Sequence, residues 1–235
     1  MSERAKIGIL CWEAGSVPRG LRQLEALRGN STNPDSYAYP VEFRRIPGAN
    51  LHTVLEHPSP RVLAAMIDAA RDLAGRGIRA QTTSCGFNVI FQPDLAAASP
   101  IPVFTSSLLQ VPLAARLLAP RGRVGIVTAC KAALTADHLA RAGITPELPV
   151  VLEGLESCGE WNRIFTDPEA PLDIRKIQDY LLDLCRRMAR DRAVEVFVLE
   201  CTDLPPFSAA IRQTTGKLVF DFITLADSMA GAIGD

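Results

Sequence analysis

The chain has 235 residues, 48% of them apolar, and its 25 basic residues nearly cancel its 26 acidic ones. That apolar content fills the core of one large domain or of two small lobes sharing a cleft, and the charge balance excludes an overall field that would draw in nucleic acid or an anionic membrane. Six cysteines without a Cys-x-x-Cys pair, and three histidines without a His-Glu-x-x-His helix, argue against both a disulfide framework and a metal site.

In chain order, Lys6 to Leu10 reads as the first strand. The residues before it show no signal-peptide pattern, and no segment approaches the ~20 apolar residues that cross a bilayer, so the expected location is cytoplasmic. Gly29 to Tyr39 is dense in turn formers and reads as a mobile loop near the cleft. After the strand Val41 to Ile46, a helix starts near Pro60 with Ser59 as its cap. It carries Val62, Leu63, Met66, Ile67, Ala70 and Leu73 on an apolar stripe, and Gly75 and Gly77 end it.

Strands follow at Ile78 to Ser84, leading into Cys85, and at Val103 to Phe104. A helix over Leu108 to Leu118, the strand Arg123 to Thr128, a helix over Ala132 to Ala140 and the strand Val150 to Leu152 come next. Gly154 to Thr166, with Cys158 and Trp161, reads as an irregular connection. The longest helix runs from Pro171 to Ala189 and feeds the strand Val194 to Leu199, which ends at Cys201. A short helix at Phe207 to Ile211, a strand at Leu218 to Phe222 and a helix at Phe222 to Met229 close the chain. The alternation implies an α/β fold of mostly parallel strands with helices on both faces.

Chemistry concentrates at two strand ends, Gln81-Thr82-Thr83-Ser84-Cys85-Gly86-Phe87-Asn88 and Glu200-Cys201-Thr202-Asp203. The carboxyl ends of strands in an open parallel sheet line a crevice, so both thiols are placed to face one pocket. A lone cysteine at a strand end is most often a packing residue; the repeated context favours paired function. Cys11 and Cys130 are candidates for lining the same pocket, and Cys185 packs on the long helix. His138 falls within an amphipathic helix, while His52 and His57 border an entrance or occupy an exposed loop. Gly-x-Gly-x-x-Gly and Walker patterns are absent and nothing marks a pyridoxal-phosphate lysine, so the expected enzyme is cofactor-free.

At these residues the sequence resembles the aspartate/glutamate racemase superfamily. The resemblance is strongest at Glu200-Cys201-Thr202-Asp203-Leu204-Pro205, with Thr83-Ser84-Cys85-Gly86-Phe87-Asn88 in the place of the first cysteine motif. It extends loosely over nearly the whole chain, from the Ile7-Gly8-Ile9-Leu10 strand to the Val124-Gly125-Ile126-Val127-Thr128 strand that begins the second half. Family members commonly follow the first cysteine with Asn and Thr, where this chain has Gly86 and Phe87. They usually have Gly before the second and His or Glu two residues after it, where this chain has Glu200 and Asp203.

The resemblance implies two pseudo-symmetric α/β lobes, residues 1 to 107 plus 215 to 235 and residues 108 to 214, with the active site between them. It also implies a homodimer and cofactor-independent racemisation or epimerisation of a small carboxylate-bearing substrate, amino acids included. Cys85 and Cys201 would be a thiolate and thiol on opposite substrate faces, assisted by Asp203 and Glu13. Backbone N–H groups near Gly86, with Thr82, Thr83, Thr128 and Thr202, would hold the carboxylate and stabilise enediolate-like charge, while Ser16 and Asn88 orient the substrate. A cis/trans isomerase of an unsaturated diacid, and a noncatalytic small-acid binding protein, stay open as alternatives.

Overall fold

The computed structural model describes residues 6–13 and 17–234. The chain begins with β1 (Ile7–Trp12), α1 (Arg19–Glu25), β2 (Val41–Ile46), α2 (Pro60–Gly75), β3 (Ala80–Thr83), α3 (Gln92–Ala98) and β4 (Val103–Phe104). The four strands pair in parallel in the order β2-β1-β3-β4. A second series follows with α4 (Val111–Arg116), β5 (Arg123–Thr128), α5 (Ala136–Arg141), β6 (Val150–Gly154), α6 (Gly159–Thr166), α7 (Ile174–Asp191), β7 (Val194–Leu199), α8 (Ser208–Thr215) and β8 (Leu218–Phe220). Its strands run in parallel in the order β6-β5-β7-β8, the same winding as the first sheet.

The local reasons are those of buried parallel sheets, whose strands read as continuous apolar runs. Ile7, Ile9, Leu10, Val124, Ile126, Val127 and Val196 to Leu199 are all buried. α2 buries Val62, Met66, Ala69, Ala70 and Leu73 on one stripe, and α7 buries Ile177, Leu181, Leu184, Cys185 and Met188. Pro60 opens α2, but the Ser59 side chain makes no capping bond. Asp173 caps α7 instead of a start at Pro171, accepting from the Arg175 and Lys176 amides.

Several sequence expectations need correction. The connection Gly154 to Thr166 contains α6, which buries Trp161 and Ile164 three residues apart. The segment Gly29 to Tyr39 is packed, with Asn30, Ser31 and Tyr37 buried and the Tyr37 hydroxyl donating to the Ser31 carbonyl at 2.5 Å. Gly29 adopts φ 105°, and a Cβ there would press on the Pro206 backbone at 3.0 Å, so this turn needs glycine.

The division at residue 215 also changes. Gly216, left-handed at φ 67°, ends α8 and turns the chain so that Leu218–Phe220 pairs with Val196–Val198 in the second sheet. The return to the first half is made by α9 (Phe222–Ile233). Its Phe222 and Ala226 pack with Ile7, Ile9, Ala80 and Phe104, and Asp221 and Thr224 form its capping box. Among the described residues no helix is long and apolar enough to cross a membrane.

Candidate active site

β3 and β7 occupy equivalent positions in the two sheets, and each delivers a cysteine just beyond its carboxyl end. Cys85 precedes a 3-10 turn over Gly86–Phe91, where the Asn88 amide donates to the Cys85 carbonyl at 3.1 Å and the Phe87 and Asn88 amides favour the thiolate. Cys201 donates from Sγ to Asp203 Oδ2 at 3.8 Å, and the nearby Asp203 amide favours its thiolate. The flanking residues interlock across the halves. The Thr202 hydroxyl donates to the Ser84 carbonyl at 2.7 Å, while the Glu200 side chain and carbonyl lie directly against Gly86. The residue before each cysteine thus meets the residue after the other, a local two-fold arrangement that holds both thiols in one chamber.

The chamber is buried and acidic. Cys85 keeps part of its surface accessible, whereas Cys201 is 9% exposed and Glu200 is fully buried. Burial, followed by the Glu200 charge, pushes the Cys85 thiol up, with the two backbone amides opposing. Burial and then Asp203 raise Cys201 well above an ordinary thiol. Burial raises Glu200 from 4.5 to about 7, against the hydrogen bond it accepts from the Thr128 hydroxyl at 2.7 Å. Asp203 is raised by burial and held back by the Asn30 amide, which donates to Oδ1 at 2.7 Å. Among the described residues, the charges acting on these four groups are carboxyls and thiols, with no guanidinium or ammonium.

Residues 35–230 match the family model described as Asp/Glu/Hydantoin racemase. The chain belongs to that family. Its fold is also that of solved family structures. Allantoin racemase from Pseudomonas fluorescens superposes with a TM-score of 0.67 at 17% identity, over 97% of this chain and 90% of that one. Unliganded arylmalonate decarboxylase gives 0.52 at 21% identity, over 93% and 87%. Among curated relatives, a dimethylsulfoniopropionate lyase of Durusdinium sp. clade D is 29% identical over 86% of this chain and 68% of its own length. Dimethylsulfoniopropionate lyase 3 of Emiliania huxleyi is 28% identical over 88% of this chain. The chain spans only 56% of that second relative.

Two departures from the family's cysteine motifs are complementary in space. A Cβ on Gly86 would overlap both Oε1 and the main-chain oxygen of Glu200, so the small residue after the first cysteine accommodates the large one before the second. Thr128 holds Glu200 rather than standing free. Thr82 and Thr83 donate to the Phe104 and Thr105 carbonyls at 2.5 and 2.8 Å, joining β3 to β4. Asn88 is fully buried, and neither its side-chain nitrogen nor its oxygen has a hydrogen-bond partner.

Other expectations fall outside this cluster. Glu13 is exposed and accepts from the Gly48 amide at 2.8 Å, bracing the turn after β2. Ser16 lies outside the described residues. Cys11 is buried with its thiol raised to about 11, mainly by burial, and donates to the Ile9 carbonyl at 3.6 Å. Cys185 is fully buried on α7. His138 is a core residue, bonded to the Thr135 hydroxyl at 2.7 Å and edge-on to Phe87. His52 is exposed and pairs with Glu56.

Sequence reasoning missed Asn30, Glu25 and the role of Glu200. Asn30 accepts from the Thr32 amide and hydroxyl through Oδ1, which fixes its NH2 toward Asp203. Glu25, half-buried on α1, is raised by burial and by Asp203. Asn30→Ala is expected to lower turnover by about tenfold with KM within about twofold, because Asp203 loses the donor that orients it. Steady-state kinetics check this, and unchanged turnover would remove Asn30 from the site.

The raised Glu200 also sets a stability slope. A carboxyl whose folded pKa exceeds its unfolded value binds more protons when folded, so the fold loses stability as pH rises from 4.5 to about 7. At ~1.4 kcal/mol per pH unit across that window, Glu200 alone makes the fold about 3 kcal/mol less stable at pH 8 than at pH 4. Urea midpoints of the wild type and of Glu200→Gln, a neutral mimic of the protonated form, are expected to diverge as pH rises from 4.5 to about 7 and to keep a constant gap above it. Parallel midpoints across the range would contradict the shift.

Proposed function

We propose that this chain is a cofactor-independent lyase that removes the proton α to the carboxylate of a small acid and expels a positively charged β-substituent. The observation that carries the reading is the acidic chamber around two thiols, on which, among the described residues, carboxyl charges act and no cationic ones. Glu200 and Asp203 disfavour a simple dianion and favour a zwitterion whose cationic group they neutralise. The curated relatives' name supports the same class, since the propionate in that name carries a sulfonium.

Cys85 is the better base of the two. It is the more accessible thiol, and two backbone amides stabilise its thiolate where Cys201 receives one. The thiolate takes the α-proton, the β-carbon to sulfur bond breaks, and its electron pair leaves with a neutral sulfide as the acrylate double bond forms. In this reading the Asn88 amide and neighbouring main-chain N–H groups hold the carboxylate, which the unpartnered Asn88 side chain supports.

A second reading, racemisation or epimerisation of a small acid, has its own support in the symmetric delivery of one thiol from each half. Incubation with dimethylsulfoniopropionate in deuterated water, reading dimethyl sulfide and acrylate, tests the first reading. A panel of amino acids and hydantoins with chiral analysis tests the second. Inversion with α-deuterium and no sulfide release would replace elimination by racemisation.

A further inference from the structure

We infer that the Glu200 carboxyl is the proton partner of Cys85, as Asp203 is the partner of Cys201, so that each thiol has its own acid–base group. This rests on the reading that Cys85 transfers a proton. Asp203 is two residues beyond Cys201 and bonded to it. Glu200 precedes Cys201 but crosses the chamber to lie on Gly86, next to Cys85. Its charge acts on Cys85 more strongly than that of Asp203, and the order reverses at Cys201.

The two oxygens of Glu200 are not equivalent. Thr128 from β5 holds Oε2, whereas Oε1 is buried without a partner on the Gly86 side. A buried carboxylate oxygen left bare is costly in a purely structural role. Among the described residues, the groups facing Glu200 are Thr128, the Cys85–Gly86 turn, and Cys201 and Asp203 of its own loop, and none of these is cationic.

The transfer balances without a co-reactant. The Cys85 S–H bond breaks as an O–H bond forms on Glu200, giving a thiolate and a neutral carboxylic acid. The thiolate then takes the substrate α-proton and returns to the thiol, and in an elimination the acid on Glu200 releases its proton to solvent with the products. The net proton released is the one the reaction produces.

Cys85 and Glu200 then titrate as a pair that shares one proton. Loss of the first proton, near pH 7, creates a monoanion that is almost wholly the Glu200 carboxylate, because burial and the Glu200 charge push the thiol up, with a small fixed fraction as the Cys85 thiolate. The alkylation rate of Cys85 by iodoacetamide should therefore rise in a step centred near pH 7, level off, and rise again in strong alkali. In Glu200→Gln the neutral-pH step should vanish, leaving one alkaline rise, and turnover should fall by about 100-fold. Peptide mass spectrometry reads Cys85 apart from the other thiols.

A wild-type profile without the step overturns the inference, whether or not the variant folds. Persistence of the step in folded Glu200→Gln does the same. Alkylation requires no substrate, so a protein with the step but no catalytic activity refutes the proposed reaction alone, and an active protein without it refutes the pairing alone.

Discussion

Cys85→Ser is expected to cut turnover by at least ~1000-fold while the protein stays folded, and Cys201→Ser to cut it only about tenfold. Serine preserves shape and a hydrogen-bonding hydroxyl, but it is a far weaker base than a thiol without a dedicated activator. The loss should therefore be largest at the residue that removes the α-proton. In an elimination the second thiol only donates a hydrogen bond, which serine still supplies. In an inversion both thiols exchange protons, and the two variants should fall together by ~1000-fold, retaining deuterium exchange from opposite enantiomers. The ratio of the two losses thus distinguishes the reactions, and circular dichroism of each variant guards against misfolding. Near wild-type turnover in both folded variants would sink the thiol mechanism itself.

Gly86→Ala is the second large effect, expected to cost about 3 kcal/mol of stability and more than ~100-fold in turnover. The added methyl meets the Glu200 side chain, whose Cδ would lie 2.8 Å away, and also the Glu200 main-chain oxygen. Because the second obstacle belongs to the backbone, Glu200→Ala should not restore the double variant. Relief requires β7 and the Cys85 turn to separate, and the Thr202 to Ser84 bond spans the same gap. Thermal melts of the single and double variants check this. A double variant as stable as Glu200→Ala alone would place the clash in the side chain only.

The frame of the protein was legible where burial is two-sided. β1, β5 and β7 stand out because both faces of a parallel strand are covered, and α2 and α7 because enough turns repeat to show their stripes. The short helices α1, α3 and α6 escaped detection. α1 buries only Gly20 and Leu24, and α6 only Trp161 and Ile164, too few positions to establish a period. The partner of β8 was misassigned because pairing depends on the turn at Gly216 and on the neighbouring strand, and neither appears in local hydropathy.

The site divides along the same line. Cys85, Cys201 and Asp203 are adjacent in sequence to strand ends and to motifs, so they could be named from residues alone. Glu200 and Gly86 were visible only as two separate departures from a pattern; that they make room for one another requires the halves to be docked. Asn30 lies in a run of turn-forming residues in which nothing local distinguishes the one amide that reaches Asp203.

The crossing of α9 has a consequence for biosynthesis. Ile7, Ile9 and Ala80 belong to strands made early, yet the helix that covers them is residues Phe222–Ile233. As the ribosome works through the second half, that face of the first sheet remains bare, an apolar surface open to chaperones or to a neighbouring nascent chain. Only when α9 emerges can the first half bury it, so the half made first is the one finished last.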